Sequence, residues 1–187
     1  MIYSGRSVIG FVGKKGSGKS SCAEYLARRF PCVIRPFAFR IKRVLSALGL
    51  TDYEINSREW RDRPHPRLGG LTVRVWMQKF GTDFSRNQIS QDIWVENWKM
   101  DIKHHTLPII VDDVRMLNEA EVIRSMQGIL VRVVRTEDLM TSVANENKDL
   151  HITENESEEI NCNYFLLNNG NLADLYKELD RIVVYSL

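Results

Sequence analysis

At 187 residues, with 43% hydrophobic and 27% charged side chains, the chain has the balance of one globular domain with a core of its own. A formal net charge of +2 is too small to argue for nucleic acid as the main partner, and no apolar run reaches the length of a membrane span. The cysteines Cys22, Cys32 and Cys162 are odd in number and lack metal-ligand spacing, so they read as small buried apolar residues in a reducing cytoplasm.

The start, Met-Ile-Tyr-Ser-Gly-Arg-Ser, does not read as a secretory signal. Ser-Val-Ile-Gly-Phe-Val at 7–12 is a short apolar, β-branched run, the pattern of a buried strand. Gly13-Lys14-Lys15-Gly16-Ser17-Gly18-Lys19-Ser20 follows and fits glycine, four residues, Gly-Lys-Ser. Residues 21–30 then read as a helix with Cys22, Leu26 and Phe30 on one face. Strand, glycine-rich turn and helix in that order build a phosphate cradle. Gly13, Gly16 and Gly18 let the backbone turn tightly and approach a ligand. The amides then converge at the positive end of a helix. Lys15, Ser17 and Ser21 belong to the same wall. Lys19 is placed to reach the β- and γ-phosphates of a nucleoside triphosphate, and Ser20 to offer its hydroxyl to magnesium.

Cys-Val-Ile-Arg-Pro-Phe-Ala (32–38) reads as a second strand, and 38–48 as a helix with Ile41, Val44, Leu45 and Leu48 on one side. The stretch 51–70 is polar, rich in Arg and Pro, and reads as loop. Residues 72–82 and 91–104 read as two helices of an inserted lobe, the first ended by Gly81. Leu-Pro-Ile-Ile-Val-Asp-Asp (107–113) is a buried strand, 117–127 a helix and 128–135 another strand. Residues 138–160 are polar and acidic without a clean period. Tyr-Phe-Leu-Leu (164–167) makes the last strand, Asn168-Asn169-Gly170 a turn, and 171–184 the last helix. Strands alternating with helices predict an α/β fold with a parallel sheet.

Charge is uneven. Residues 35–67 hold eight Arg or Lys against four acids, and 144–160 hold six acids against one Lys. The basic stretch follows the second strand, at the edge of an open sheet where ligands sit, which suits a second anionic ligand. Ile-Ile-Val-Asp-Asp-Val-Arg (109–115) ends an apolar strand in two carboxylates beside the phosphate loop. One of them, Asp113 by preference, can hold magnesium, and Arg115 can reach a phosphate as a planar fork. Arg74 and Gln78 are four apart and share a helix face. Gln78 suits a base edge, and Arg74 and Arg86 suit phosphate. Arg40 and Lys42 can hold a substrate phosphate, with Phe37 or Phe39 stacking on a base. Read as packing alone, the same residues make core aromatics, solvated cations and a strand-end cap.

These pieces together resemble the phage deoxynucleoside monophosphate kinases, a branch of the phosphate-loop nucleoside monophosphate kinases. The resemblance rests on the loop Gly13–Ser20, Phe-Ala-Phe-Arg-Ile-Lys (37–42), Thr72-Val73-Arg74 with Gln78-Lys79-Phe80-Gly81-Thr82-Asp83 and Arg86, and Asp92-Ile93-Trp94-Val95. It continues through Asp113-Val114-Arg115 with Asn118-Glu119, Arg132-Val133-Val134-Arg135, His151 with Ser157-Glu158, and Asn168-Asn169-Gly170. The family's Thr-Pro-Arg is Thr72-Val73-Arg74 here, and no catalytic role is placed on His151.

The resemblance implies a single three-layer α/β/α domain over 1–187. Its core would be 1–40 and 106–187, with a parallel sheet of about five strands. A helical lobe for the monophosphate would be inserted at about 40–105. It implies ATP and Mg2+ as cofactors, transfer of the γ-phosphate to a (deoxy)nucleoside 5′-monophosphate, and a cytoplasmic enzyme, in the host cytoplasm if phage-encoded. By matching position, Phe39, Arg40, Lys42, Arg74, Gln78, Thr82 and Arg86 form the monophosphate site. Arg132 or Arg135 lies over the transferring phosphate. Asn168, Asn169 and Gly170 lie where related kinases hold adenine. A homodimer is suggested by analogy alone. Dephospho-coenzyme A kinase shares the loop and the asparagine turn, and a slow nucleotide-hydrolysing switch shares the loop. A guanine switch would want Asn-Lys-x-Asp, which Asn147-Lys148-Asp149 does not supply.

Overall fold

The structure is a computed structural model that describes residues 7–135 and 152–183. In chain order the elements are β1 (Val8–Val12), α1 (Lys19–Arg29), β2 (Val33–Ile34), α2 (Phe39–Ala47), α3 (Asp52–Asn56) and α4 (Arg58–Arg61). A 3₁₀ turn (Pro66–Leu68), α5 (Val73–Gln78), a π-helix (Lys79–Ile89) and α6 (Ile93–Ile102) follow. Then come β3 (Ile109–Val114), α7 (Leu117–Ser125), β4 (Ile129–Val134), α8 (Ile152–Glu159), β5 (Tyr164–Leu167) and α9 (Leu172–Val183). The chain separates into two compact units, Met1–Pro36 with Ile102–Leu187, and Phe37–Asp101.

The first unit is built on a five-stranded parallel sheet in the order β2-β3-β1-β4-β5. Parallel strands need both faces covered, and β1 is buried throughout. On one face Ile9, Phe11, Ile110, Val131, Val133 and Leu166 meet Cys22, Ala23 and Leu26 of α1 and Leu175, Leu179 and Val183 of α9. On the other face β1 has Gly10. An added Cβ there would lie 2.7 Å from Ile123 of α7 and 2.9 Å from Leu130, so the missing side chain lets α7 sit close. The layers are α/β/α. Each large aliphatic side chain taken from water here contributes about 1.5–3 kcal/mol.

The second unit has its own core of Leu45, Leu50, Ile55, Leu68 and Val73, flanked by Leu71, Trp76 and Met77. Trp98 stacks at a tilt on Phe37, with centroids 4.8 Å apart, and Trp94 donates its indole N–H to the Gly81 carbonyl at 2.8 Å. Both tryptophans are buried.

Three elements differ from the sequence expectation. The second strand is only Val33–Ile34, because Pro36 lacks the N–H that a ladder needs. The stretch 51–70 is not loop but short capped helices. Thr51 and Glu54 close a capping box on α3, and Ser57 accepts from the Trp60 N–H at the start of α4. Gly81 does not end a helix. The chain runs through it as a π-helix, and Ile41 lies 2.9 Å from where a Cβ would be. No helix among the described residues is long and apolar enough to cross a membrane.

Candidate functional site

The loop between β1 and α1 turns on Gly13 at φ 146° and Gly18 at φ 112°. A Cβ on Gly13 would stand 2.3 Å from the Val133 carbonyl oxygen, and one on Gly18 2.8 Å from Asn168 Nδ2, so both positions need glycine for space as well as torsion. Lys19, in the first turn of α1, is buried and donates from Nζ to the carbonyls of Gly13 and Lys14, both at 2.7 Å. The lysine thereby closes the loop into a ring around its own ammonium. Ser17 is buried, and its hydroxyl has no hydrogen-bond partner among the described residues. Lys15 and Gly16 are exposed, and Ser21 is half-buried.

Ser20 donates its hydroxyl to Asp112 Oδ2 at 2.7 Å. The sequence preference was Asp113; the carboxylate brought to Ser20 is its neighbour. The cause lies in the sheet. Gly10 pairs with Val111 and Val12 with Val114, so Phe11 stands opposite both Asp112 and Asp113. That extra residue is a bulge, and a bulge re-aims the side chains it carries. Among the described residues no group of three or more His, Cys, Asp or Glu stands ready to enclose a metal.

After β3 the backbone N–H groups of Arg115 and Met116 both donate to Glu119, at 2.8 and 3.1 Å. Glu119 is buried, so it fixes the corner from which the exposed Arg115 projects. Arg135 is exposed at the end of β4. Arg132 behaves differently from its expected role over a phosphate. Its Nη2 donates to the carbonyls of Ser157 at 2.9 Å and Ile160 at 2.5 Å, which caps the C-terminus of α8. Asn168 donates from Nδ2 to the Ser17 carbonyl at 2.7 Å, and its backbone N–H bonds Val134. Asn168 therefore ties the phosphate loop to the end of β5. Asn169 and Gly170 are exposed and line an open groove with Phe165 and Asp174. Lys14 pairs with Glu158 at 3.2 Å, across a sequence separation no local pattern spans. His151 and residues 144–151 of the acidic stretch lie outside the described residues.

Burial pushes the Cys22 thiol up to about 12, which makes it an inert core group beneath the loop. All three cysteines are free.

In the second unit, Arg40 holds Asp101 through Nε and Nη2, and Arg74 holds Asp62 through the same two atoms. Lys42 donates to Asn56 at 2.9 Å, and the buried Arg86 donates to the Gln91 carbonyl at 3.0 Å. Thr72 accepts from Val75 N and caps α5, which sets Arg74 in the first turn. Gln78 is exposed, and Phe39 and Thr82 are half-buried. Asp62 and Asp101 were missed by sequence reasoning. Their partners are twelve and sixty-one residues away, beyond any local pattern.

The profile of the deoxynucleotide monophosphate kinases matches residues 67–179. A protein of Acanthamoeba polyphaga mimivirus assigned as a deoxynucleotide monophosphate kinase is 29% identical over 187 aligned residues, covering 92% of this chain and 93% of its own. The deoxynucleotide monophosphate kinase of Escherichia phage RB69 is 27% identical over 116 residues, covering 60% of this chain and 45% of its own. Among solved structures, TT1252 from Thermus thermophilus is similar at a TM-score of 0.49 and 19% identity, over 97% of this chain and 98% of its own. Shikimate kinase from Bacteroides thetaiotaomicron is similar at 0.48 and 10% identity, over 96% and 97%. The profile covers more than half of the chain, including Arg74, Asp112, Arg115 and the asparagine turn, and on that ground the chain belongs to the deoxynucleotide monophosphate kinase family and is a nucleotide monophosphate kinase.

Proposed function

We propose that the chain transfers the γ-phosphoryl group of ATP to a deoxynucleoside 5′-monophosphate, with Mg2+, giving the diphosphate. One observation carries this reading: a loop whose Gly13 and Lys14 carbonyls close on the Lys19 ammonium, with Ser20 and Asp112 in hydrogen-bond contact at its edge. The chemistry of those groups fits the two cofactors. The buried Ser17 hydroxyl without a partner and the amides at the mouth of α1 suit phosphate oxygens. Ser20 and Asp112 supply hard oxygen ligands of the kind magnesium takes when substrate phosphates and water complete its shell. When bound, the ion supplies charge neutralisation at the phosphates.

The residues of the chain then divide the work. The loop holds the triphosphate and Lys19 faces its terminal groups. Arg115 and Arg135, both exposed at the carboxyl ends of strands, meet the charge that spreads over the transferring group. No general base is needed, because the attacking oxygen belongs to a phosphate that is already ionised. Losing one such donor costs about 2–4 kcal/mol of transition-state stabilisation. In the second unit Arg74, Gln78 and Thr82 are the acceptor ligands of this reading, with Phe39 and Arg40 in the first turn of α2. Arg132 is left to hold α8.

A coupled assay with ATP-Mg2+ against a panel of deoxynucleoside and ribonucleoside monophosphates and dephospho-coenzyme A tests it. Transfer to one or more deoxynucleoside monophosphates is expected. Turnover confined to dephospho-coenzyme A, or ATP hydrolysis alone, overturns it.

A further inference from the structure

We infer that Asp62 is a positioning residue for the acceptor: it grips Arg74 from the side, so that the end of the guanidinium is presented as a fork to the phosphate of the nucleoside monophosphate. The inference rests on the reading of Arg74 as an acceptor ligand and deepens it.

Arg74 donates from Nε to Asp62 Oδ1 at 2.5 Å and from Nη2 to Oδ2 at 3.3 Å. A guanidinium has five N–H donors in one plane. This side-on pair uses the Nε hydrogen and one hydrogen of Nη2. Both hydrogens of Nη1 and the outer one of Nη2 remain, and among the described residues none of them has a protein acceptor. Those are the donors of an end-on fork, the geometry that matches two oxygens of a phosphate. Arg74 keeps 34% of its side-chain surface in solvent, so the fork is reachable.

The backbone around the pair is held as well. Pro64 and Thr72 form an isolated antiparallel bridge, two residues after Asp62 and two before Arg74. His65 N–H bonds the Leu71 carbonyl at 3.0 Å just inside that bridge. Asp62 closes α4, whose start is capped by Ser57, and Arg74 opens α5, whose start is capped by Thr72. Both ends of the ion pair thus spring from fixed points. A long arginine left alone would sample many rotamers and lose entropy on meeting its ligand; the carboxylate has already spent that freedom. An exposed ion pair adds little to fold stability, so orientation is the consequence with weight. The same Nε and Nη2 edge is used where Arg40 holds Asp101, so side-on gripping recurs in this unit.

Steady-state kinetics on the full chain decide the matter. Asp62→Asn is expected to raise KM for the monophosphate about tenfold, with kcat and KM for ATP within about twofold and the melting temperature unchanged. Arg74→Ala raises it further, and Asp62→Asn with Arg74→Ala together is no worse than Arg74→Ala alone, because the carboxylate acts only through the arginine. Asp62→Glu, which keeps the charge, recovers part of the loss and serves as the second variant if Asp62→Asn misfolds. A lower KM in Asp62→Asn means that the carboxylate competes with the phosphate, and overturns the inference. Additive losses, or an unchanged KM, overturn it too while the kinase reading stands. A wild-type chain that transfers phosphate to no nucleoside monophosphate removes both.

Discussion

Lys19 has two attachments, and its substitution should separate them. The ammonium bonds two loop carbonyls, so Lys19→Ala removes contacts within the loop as well as the cation facing the transferring phosphate. Two hydrogen bonds of this kind are together worth about 1–3 kcal/mol, too little to unfold a domain. Turnover should fall by at least about a hundredfold while the melting curve stays cooperative. A Lys19→Ala protein with near-normal turnover ends the proposed mechanism. The metal side is tested on the adjacent carboxylates. Asp112→Asn should raise the Mg2+ concentration for half-maximal rate about tenfold, and Asp113→Asn should change it much less. If Asp113→Asn gives the larger shift, the metal returns to the residue the sequence preferred. The loop was legible in the sequence because its parts are consecutive and each torsion-demanding position is a glycine. The choice between Asp112 and Asp113 was not, because a bulge depends on the pairing of two strands about a hundred residues apart.

At the scale of elements, end groups hold both the 51–70 stretch and α8. The pattern Thr51-x-x-Glu54 was present in the sequence as a capping box, yet the density of Arg and Pro around it suggested loop. The cap also carries a pH dependence. The backbone N–H of Thr51, then its hydroxyl, then His65 hold the Glu54 carboxyl well below the usual carboxylate range, at about 2. A folded-state pKa below the unfolded one contributes stability that is complete above the unfolded value and is lost as pH falls through the folded one. Glu54→Gln should therefore be less stable than wild type at neutral pH, and the difference should close between about pH 4.5 and 2. Urea titrations at several pH values read this directly, and a gap that stays constant with pH would assign the loss to something other than the carboxylate charge. Arg132 is the other end group. The resemblance offered it as a cation over the transferring phosphate, and its part as a cap was not legible, because α8 comes from elsewhere in the chain. Arg132→Ala should cost about 1–3 kcal/mol of stability by stripping donors from the Ser157 and Ile160 carbonyls, with KM for ATP within about twofold. A large rise in that KM at unchanged stability would put Arg132 back on the phosphate.

At the scale of the whole molecule, the parallel sheet was legible because β1 is apolar throughout, β3 opens on three buried apolar residues before Asp112 and Asp113, and β4 is apolar except for Arg132, a pattern that suits a sheet covered on both faces. The aromatic content of residues 72–98 was less so, since a helix that buries Trp94 and Trp98 and one that lines a base pocket share the same spacing. The division into Met1–Pro36 with Ile102–Leu187, and Phe37–Asp101, lets the two ligand assignments be tested separately. Hydrogen exchange reports opening locally, and a ligand slows exchange where it lends hydrogen bonds or removes freedom. A non-hydrolysable ATP analogue with Mg2+ should protect amides of 13–20 and 168–170. A deoxynucleoside monophosphate alone should protect 72–86, and Arg74→Ala should abolish that second effect while leaving the first intact. Each unit has its own buried core, so protection in one does not follow trivially from protection in the other. Protection of 13–20 by both nucleotides, with 72–86 unchanged by either, would show both bound at one loop and would take the acceptor away from the second unit.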